Sequence, residues 1–182
     1  MEVNVLPDWS YHPIKNTLLR KLSPKRGRSF LLKSMNTIAS VPGGSKIIDF
    51  LGHMKNKEVQ FQQNGLPYYS HVGLSGKVDP FLEGTNALQH LGFNFLEIGP
   101  VCFKLDESSC QSPIIKDDKI FYPLNGEKTS FQRVVKMLTK YTIQLPIFIR
   151  IDEAEVTPDV LQYMITSHSP FVEGFFLTEN PL

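Results

Sequence analysis

HVGLSGKVDPFLEGTNALQHLGFNFLEIG, residues 71–99, is the stretch that decides the fold. The apolar run 71–74 predicts a strand, residues 81–91 predict a helix, and 93–98 predict a second, buried strand. Two strands joined by a helical crossover form a parallel unit, because parallel neighbours cannot be connected by a tight turn.

Toward the C-terminus a polar segment, 104–119, interrupts this rhythm. It resumes with a helix over 130–141 capped by Thr129 or Ser130, a strand over 146–151, a helix over 158–167 and a strand over 172–177. Toward the N-terminus, residues 59–62 and 66–69 flank Gln63-Asn64-Gly65, where Asn-Gly predicts a tight hairpin.

The N-terminal part has a different character. No Asp or Glu occurs between Asp8 and Asp49, while Lys15, Arg20, Lys21, Lys25, Arg26, Arg28, Lys33 and Lys46 fall in that interval, although the whole chain carries only +1. Pro13 opens a short helix with Ile14, Leu18, Leu19 and Leu22 on one face. Ser23-Pro24 starts a second, with Phe30, Leu31, Met35 and Ile38 as its stripe, and Pro42-Gly43-Gly44 ends it. The result is a basic amphipathic hairpin. It fits an anionic membrane surface, where each cation contributes on the order of 1 kcal/mol, and it fits equally a hairpin packed on the domain with solvated charges. Interleaved stacking aromatics are missing, so no nucleic-acid partner is expected.

A chain of 182 residues with 41% hydrophobic content supports one sizeable core. We expect one domain with a helical extension: residues 1–45 the hairpin, 46–182 the β/α part. Cys102 and Cys110 stand in a loop-like stretch without paired spacing or nearby His, which argues against a disulfide framework or a metal site and for a reducing cytosol. No apolar run has the roughly 18–20 residues of a spanning helix, and there is no secretory leader pattern.

In α/β proteins the carboxyl ends of the strands carry the site. Those ends are Ser75-Gly76-Lys77, Gly99-Pro100, Asp152-Glu153 and Thr178-Glu179-Asn180. Asp152, Glu153 and Glu155 lack a His at ligand spacing, so a solvated loop is expected rather than a metal or acid/base site. His12, His53, His71, His90 and His168 show no paired helical spacing, and only Tyr69 and His71 of the Tyr68-Tyr69 pair could share a strand face. No P-loop and no nucleophile elbow occur.

Taken together, Tyr11-His12-Pro13, Leu18, Ser23-Pro24, Gly73-Leu74-Ser75-Gly76, Asp79, Ala87-Leu88, Leu91-Gly92-Phe93 and Glu97-Ile98-Gly99 resemble the class 2, quinone-dependent dihydroorotate dehydrogenases of pyrimidine biosynthesis. The resemblance is clearest over residues 9–101 and returns more weakly over 145–180. It implies a membrane-facing helix pair lining a quinone tunnel, followed by an FMN-binding (β/α)8 barrel. On that alignment His12, Pro13, Leu18, Leu19, Leu22 and Phe30 are the quinone- or membrane-facing residues. Ser75, Gly76 and Gly99 are vestiges of the cofactor site, and Asn125 and Arg150 of the substrate site.

The departures bear on mechanism. Asp79 is followed by Pro80 where the family has lysine, and Gly99 by Pro100 where it has threonine. Arg150 replaces a family lysine with a planar fork, and Glu179 replaces an asparagine. Family strands three, four, seven and eight have no counterpart, nor does the loop bearing the serine base. The expected fold class is therefore α/β: a partial, half TIM-barrel-like set of parallel β/α units behind an amphipathic helical hairpin. No catalytic residue and no metal ligand is assigned.

The expected function is a non-catalytic dihydroorotate dehydrogenase-like pseudoenzyme, without cofactor, that keeps its hairpin for a peripheral membrane surface, a protein partner or a homo-oligomer. It would lie in the cytoplasm or at the inner face of the cell membrane. Two alternatives stand beside it: a divergent or split FMN-dependent oxidoreductase of this family, and a remnant fold with no ligand. Four parallel strands cannot close a barrel, so either a homodimer or a compact open sheet is expected.

Overall fold

A computed structural model describes residues 23–51, 61–63, 66–68, 72–104, 110–116, 119–123, 126–152 and 156–178. The expectations for His12, Pro13, Leu18, Leu19, Leu22, Tyr69, His71, Asn125, Glu153, Glu155 and Glu179 lie outside the described residues.

Helix α1 spans Pro24–Ser40, with Pro24 in its first turn where a missing N–H is harmless. It is followed at once by α2, Gly44–Leu51. The Pro42-Gly43-Gly44 sequence ends α1, as expected, and also turns a corner: Gly43 takes a positive φ of 81° and the chain enters a second helix, not expected from the sequence, at Gly44. Ile48 provides the buried face of α2 and Leu32 that of α1. The boundary expected at residue 45 falls inside the first turn of α2.

Strands β1, Phe61–Gln63, and β2, Leu66–Tyr68, pair antiparallel with Gln63 opposite Leu66, as the Asn-Gly turn signal requires. The strand expected over 71–74 is reduced to a parallel bridge between Leu74 and Leu96. The helix expected over 81–91 is shortened to α3, Thr85–Leu88. Its start is delayed because Asp79 ties down the backbone of Glu83 and Gly84 and because Leu82 has φ 54°.

The central sheet is four-stranded and all parallel, in the order β6-β3-β7-β8. It is built from β3, Leu96–Cys102; β6, Thr129–Ser130; β7, Ile147–Asp152; and β8, Gly174–Thr178. Helix α4, Phe131–Lys140, is capped by the Ser130 hydroxyl, which accepts from Arg133 N. Helix α5, Pro158–His168, opens on a proline like α1. Within 104–119 and just beyond lies an unforeseen antiparallel pair, β4, Ile114–Lys116, with β5, Lys119–Phe121.

One contiguous core joins the sheet to the helices. Ile98, Val101, Ile147, Ile149 and Ile151 point to one face and meet Phe131, Val134, Met137 and Leu138 of α4 and Met164 of α5. Alternation along β7 sends Phe148 and Arg150 to the opposite face. The fold is mixed α/β with a parallel sheet.

Candidate functional site

A cleft of about 410 Å³ opens at the carboxyl ends of β3 and β7. Its walls come from Ser75 and Lys77 after the Leu74 bridge, Pro100 in β3, Tyr122 and Glu127 before β6, and Arg150 in β7. This is where a parallel sheet places ligands, since the loops there diverge.

Two glycines stand next to its lining residues Ser75 and Pro100. The pairing of β3 with β7 shifts register between Ile98 and Val101, and Gly99 takes φ 128° with a cis bond to Pro100. A Cβ at Gly99 would lie 2.4 Å from Arg150 O, and one at Gly76 would lie 2.4 Å from Gly99 O and 2.6 Å from Gly99 N. Gly76 and Gly99 are thus consumed by close backbone approach to each other and to β7.

The charges in the cleft are largely paired. Arg150 donates from Nε and Nη2 to Glu97 at 3.1 and 2.8 Å and stacks over Phe176 at 5.4 Å. This fork holds the guanidinium pKa above its ordinary value, against a smaller opposing effect of burial. Lys128 pairs with Asp152, which is buried rather than solvated as its loop-like sequence suggested. Glu127 takes Arg28 of α1 and the Ser112 hydroxyl at 3.0 Å. Lys77 is exposed and rests over the Tyr122 ring at 5.1 Å.

Asp79 stands apart from this cleft. Its carboxylate accepts from Glu83 N, Gly84 N and Thr85 Oγ1 at 2.7–2.9 Å. Burial pushes its pKa up, opposed by those three donors. It therefore ties down the turn that leads into α3. His90 pairs with Asp49 of α2 at 3.1 Å, and His168 is buried against Phe131, so neither can act as a base for Ser75. Among the described residues no group of three or more His, Cys, Asp or Glu could hold a metal ion.

Comparison with known proteins now bears on this geometry. Over 91 residues the chain is 29% identical to a dihydroorotate dehydrogenase (quinone) of Thermobifida fusca (strain YX), a match covering 50% of this chain and 24% of that protein. The relationship is dihydroorotate dehydrogenase-like. No family model matches the chain. It spans about a quarter of the length of that relative.

The fold brings Ser75, Gly76, Gly99 and Arg150 together around one cleft, and leaves Phe30 on the exposed side of α1, 47% accessible. The described residues do not fit FMN. A flavin phosphate calls for several uncommitted N–H donors or cations. Of the cations lining the cleft, Arg150 is held by Glu97 and Lys128 by Asp152, which leaves Lys77, over the Tyr122 ring, as a single cation where several donors are needed. The space beside the glycines that would admit a flavin ring is filled by backbone, Gly99 beside Gly76 and Arg150 beside Gly99. The Glu97–Arg150 and Arg28–Glu127 pairs join residues 53 and 99 positions apart, which no local pattern signals.

Proposed function

We propose that the chain is a dihydroorotate dehydrogenase-like protein that does not run that reaction by itself and instead lays its helical hairpin on an anionic membrane surface. The observation that carries this is the outer side of α1 and α2, where Phe30, Leu31, Ile38, Val41, Ile47 and Phe50 are all exposed. Six exposed apolar side chains on two consecutive helices and their corner favour an interaction site there. Lys25, Arg28 and Lys33 turn toward the body, to the Phe81 ring, Glu127 and Glu83. Arg26 and Lys46 stay exposed, each able to contribute about 1 kcal/mol at an anionic surface. No helix among the described residues is long and apolar enough to cross a membrane.

Loss of catalysis is supported inside the chain, independently of where it begins or ends. The strand resembling the family's second, β3, pairs directly with the one resembling its fifth, β7. That leaves no room between them for strands three and four or for the serine loop that follows. Arg150, bound to Glu97, stands where the resemblance expects a lysine. The same reading expects a cytoplasmic protein held peripherally at the inner face of the cell membrane.

Two measurements test it. Purified protein given excess FMN, then freed of unbound flavin, should stay colourless; a flavin band near one per chain would replace this reading with a divergent or split enzyme. In vesicle sedimentation the chain should pellet with anionic lipid, and Ile47→Glu should weaken this roughly tenfold or more. Failure to pellet at any lipid composition would turn the hairpin over to a protein partner.

A further inference from the structure

The hairpin is fastened to the body by charge more than by packing. Among the described residues, the contiguous core of the sheet, α4 and α5 takes no member from α1 or α2. Leu32 and Ile48 are the large apolar side chains that the hairpin buries, and Leu32 roofs Gly84 so closely that a Cβ there would lie 2.7 Å from its Cδ2. Polar ties accompany them. Lys25 lies over the Phe81 ring at 5.0 Å, Arg28 pairs with Glu127, Lys33 pairs with Glu83 at 3.1 Å, and Asn36 donates to the Tyr141 hydroxyl at 3.2 Å. On α2, Asp49 meets His90 at 3.1 Å. Three of the four cations of α1 are thus engaged by the body, and Arg26 is the fourth.

We propose that this docking is an autoinhibitory contact: the body holds Lys25, Arg28 and Lys33, and an anionic lipid surface that takes over these cations lifts α1 off it. The proposal rests on the membrane reading above and adds a switch to it. An interfacial helix needs an apolar face toward the acyl chains and cations on the other. Helix α1 has both, with Phe30, Leu31 and Ile38 exposed, but its cationic side is the one turned to the body. While docked, it also carries Glu83 and Glu127 along beneath it, and like charge repels those carboxylates from the surface. Each cation transferred from body to headgroups strengthens binding roughly fivefold. The surface therefore prefers the undocked hairpin, which is the condition for shifting a population. Lys33 is 64% exposed, so headgroups reach it first. Glu127 lines the cleft, so water can replace Arg28 once the helix leaves.

The full chain is tested with phosphatidylcholine vesicles containing phosphatidylserine, by sedimentation and by hydrogen–deuterium exchange. On bound vesicles the amides of 79–88, the stretch that Leu32, Lys25 and Lys33 cover, should exchange faster than in the free protein. Unchanged or slower exchange there means that the hairpin binds while docked, which overturns the inference and leaves the membrane reading standing. Glu83→Gln should tighten vesicle binding roughly threefold more than Asp159→Asn, which removes the same charge from an exposed site on α5. Equal gains would reduce the effect to net charge and sink the switch. Lys33→Gln should weaken binding less than about twofold in the wild-type chain and roughly fivefold in the Glu83→Gln chain; the same loss in both backgrounds shows that Glu83 holds nothing back. The Lys33–Glu83 pair is at the surface, so these variants keep their fold, as circular dichroism should confirm. If neither the wild-type chain nor any variant pellets, the membrane reading falls and the switch falls with it.

Discussion

The two faces of the parallel sheet come from the same strands and could hardly differ more. Toward α4 and α5, Ile98, Val101, Ile147, Ile149 and Ile151 are each at most 3% exposed. Away from them, on alternating positions, stand Glu97, Phe148, Arg150 and Phe176, partly open and joined by an ion pair and stacked rings. A period of two lets one strand serve a sealed core and a reactive-looking surface at once. Stability resides on the first face, and the second is the one left partly open.

The widest gap between the faces should appear in truncation. Ile149→Ala empties the sealed side and should cost about 2–5 kcal/mol in urea unfolding, whereas Phe176→Ala should cost less than about 1 kcal/mol. Equal losses would mean that the second face is core as well. Next comes a polar group that belongs to neither face. Asp79→Ala strands two backbone N–H groups and a hydroxyl and should cost about 2 kcal/mol, with Asp79→Asn recovering part of it.

The ion pair should matter less. The Arg150 side chain is 34% exposed, so solvent screening limits Glu97→Gln to about 1 kcal/mol or below. Combining it with Arg150→Met should bring stability back toward the wild type, because no charge is then left alone. A double variant worse than the sum of its parts would show that the pair organises the cleft rather than merely sitting in it.

The smallest effect concerns pH. Burial lowers the pKa of His168 below its ordinary 6.5, partly countered by its bond to Met164 O at 2.7 Å. As pH falls from that value the unfolded chain takes up the proton before the folded one. Stability is therefore full above 6.5 and declines on acidification toward the folded-state pKa. His168→Gln should flatten that limb in denaturation curves recorded across the range; an unchanged slope would assign it to the carboxylates.

Elements governed by local signals were legible in the sequence. Ser130 and the Phe131, Val134, Met137, Leu138 stripe mark α4, and the isoleucines of 147–151 mark β7. Where local signals compete, the reading was incomplete. Pro42-Gly43-Gly44 ends α1 as its residues predict, but the helix just beyond it, with Ile47, Ile48 and Leu51 at helical spacing, is not announced by a start signal of its own. Lys116 and Lys119 give no sign that β4 and β5 pair antiparallel, and β6 is too short for any periodicity. At the site, Gly76 and Gly99 stand out as glycines, but only the fold reveals that the Gly99 backbone excludes a side chain at 76 and the Arg150 backbone one at 99. The partners of Arg150 and Glu127 follow from tertiary proximity alone.

The Arg28–Glu127 contact has a consequence in time. Helix α1 leaves the ribosome long before Glu127, which joins it to the body 99 positions later. At cellular translation speeds that interval is roughly 5–20 s, during which the newborn hairpin lacks this contact. Whatever greets it in those seconds, a lipid headgroup layer or a chaperone, has the first opportunity to bind the segment, and the rest of the chain then folds against a hairpin already engaged.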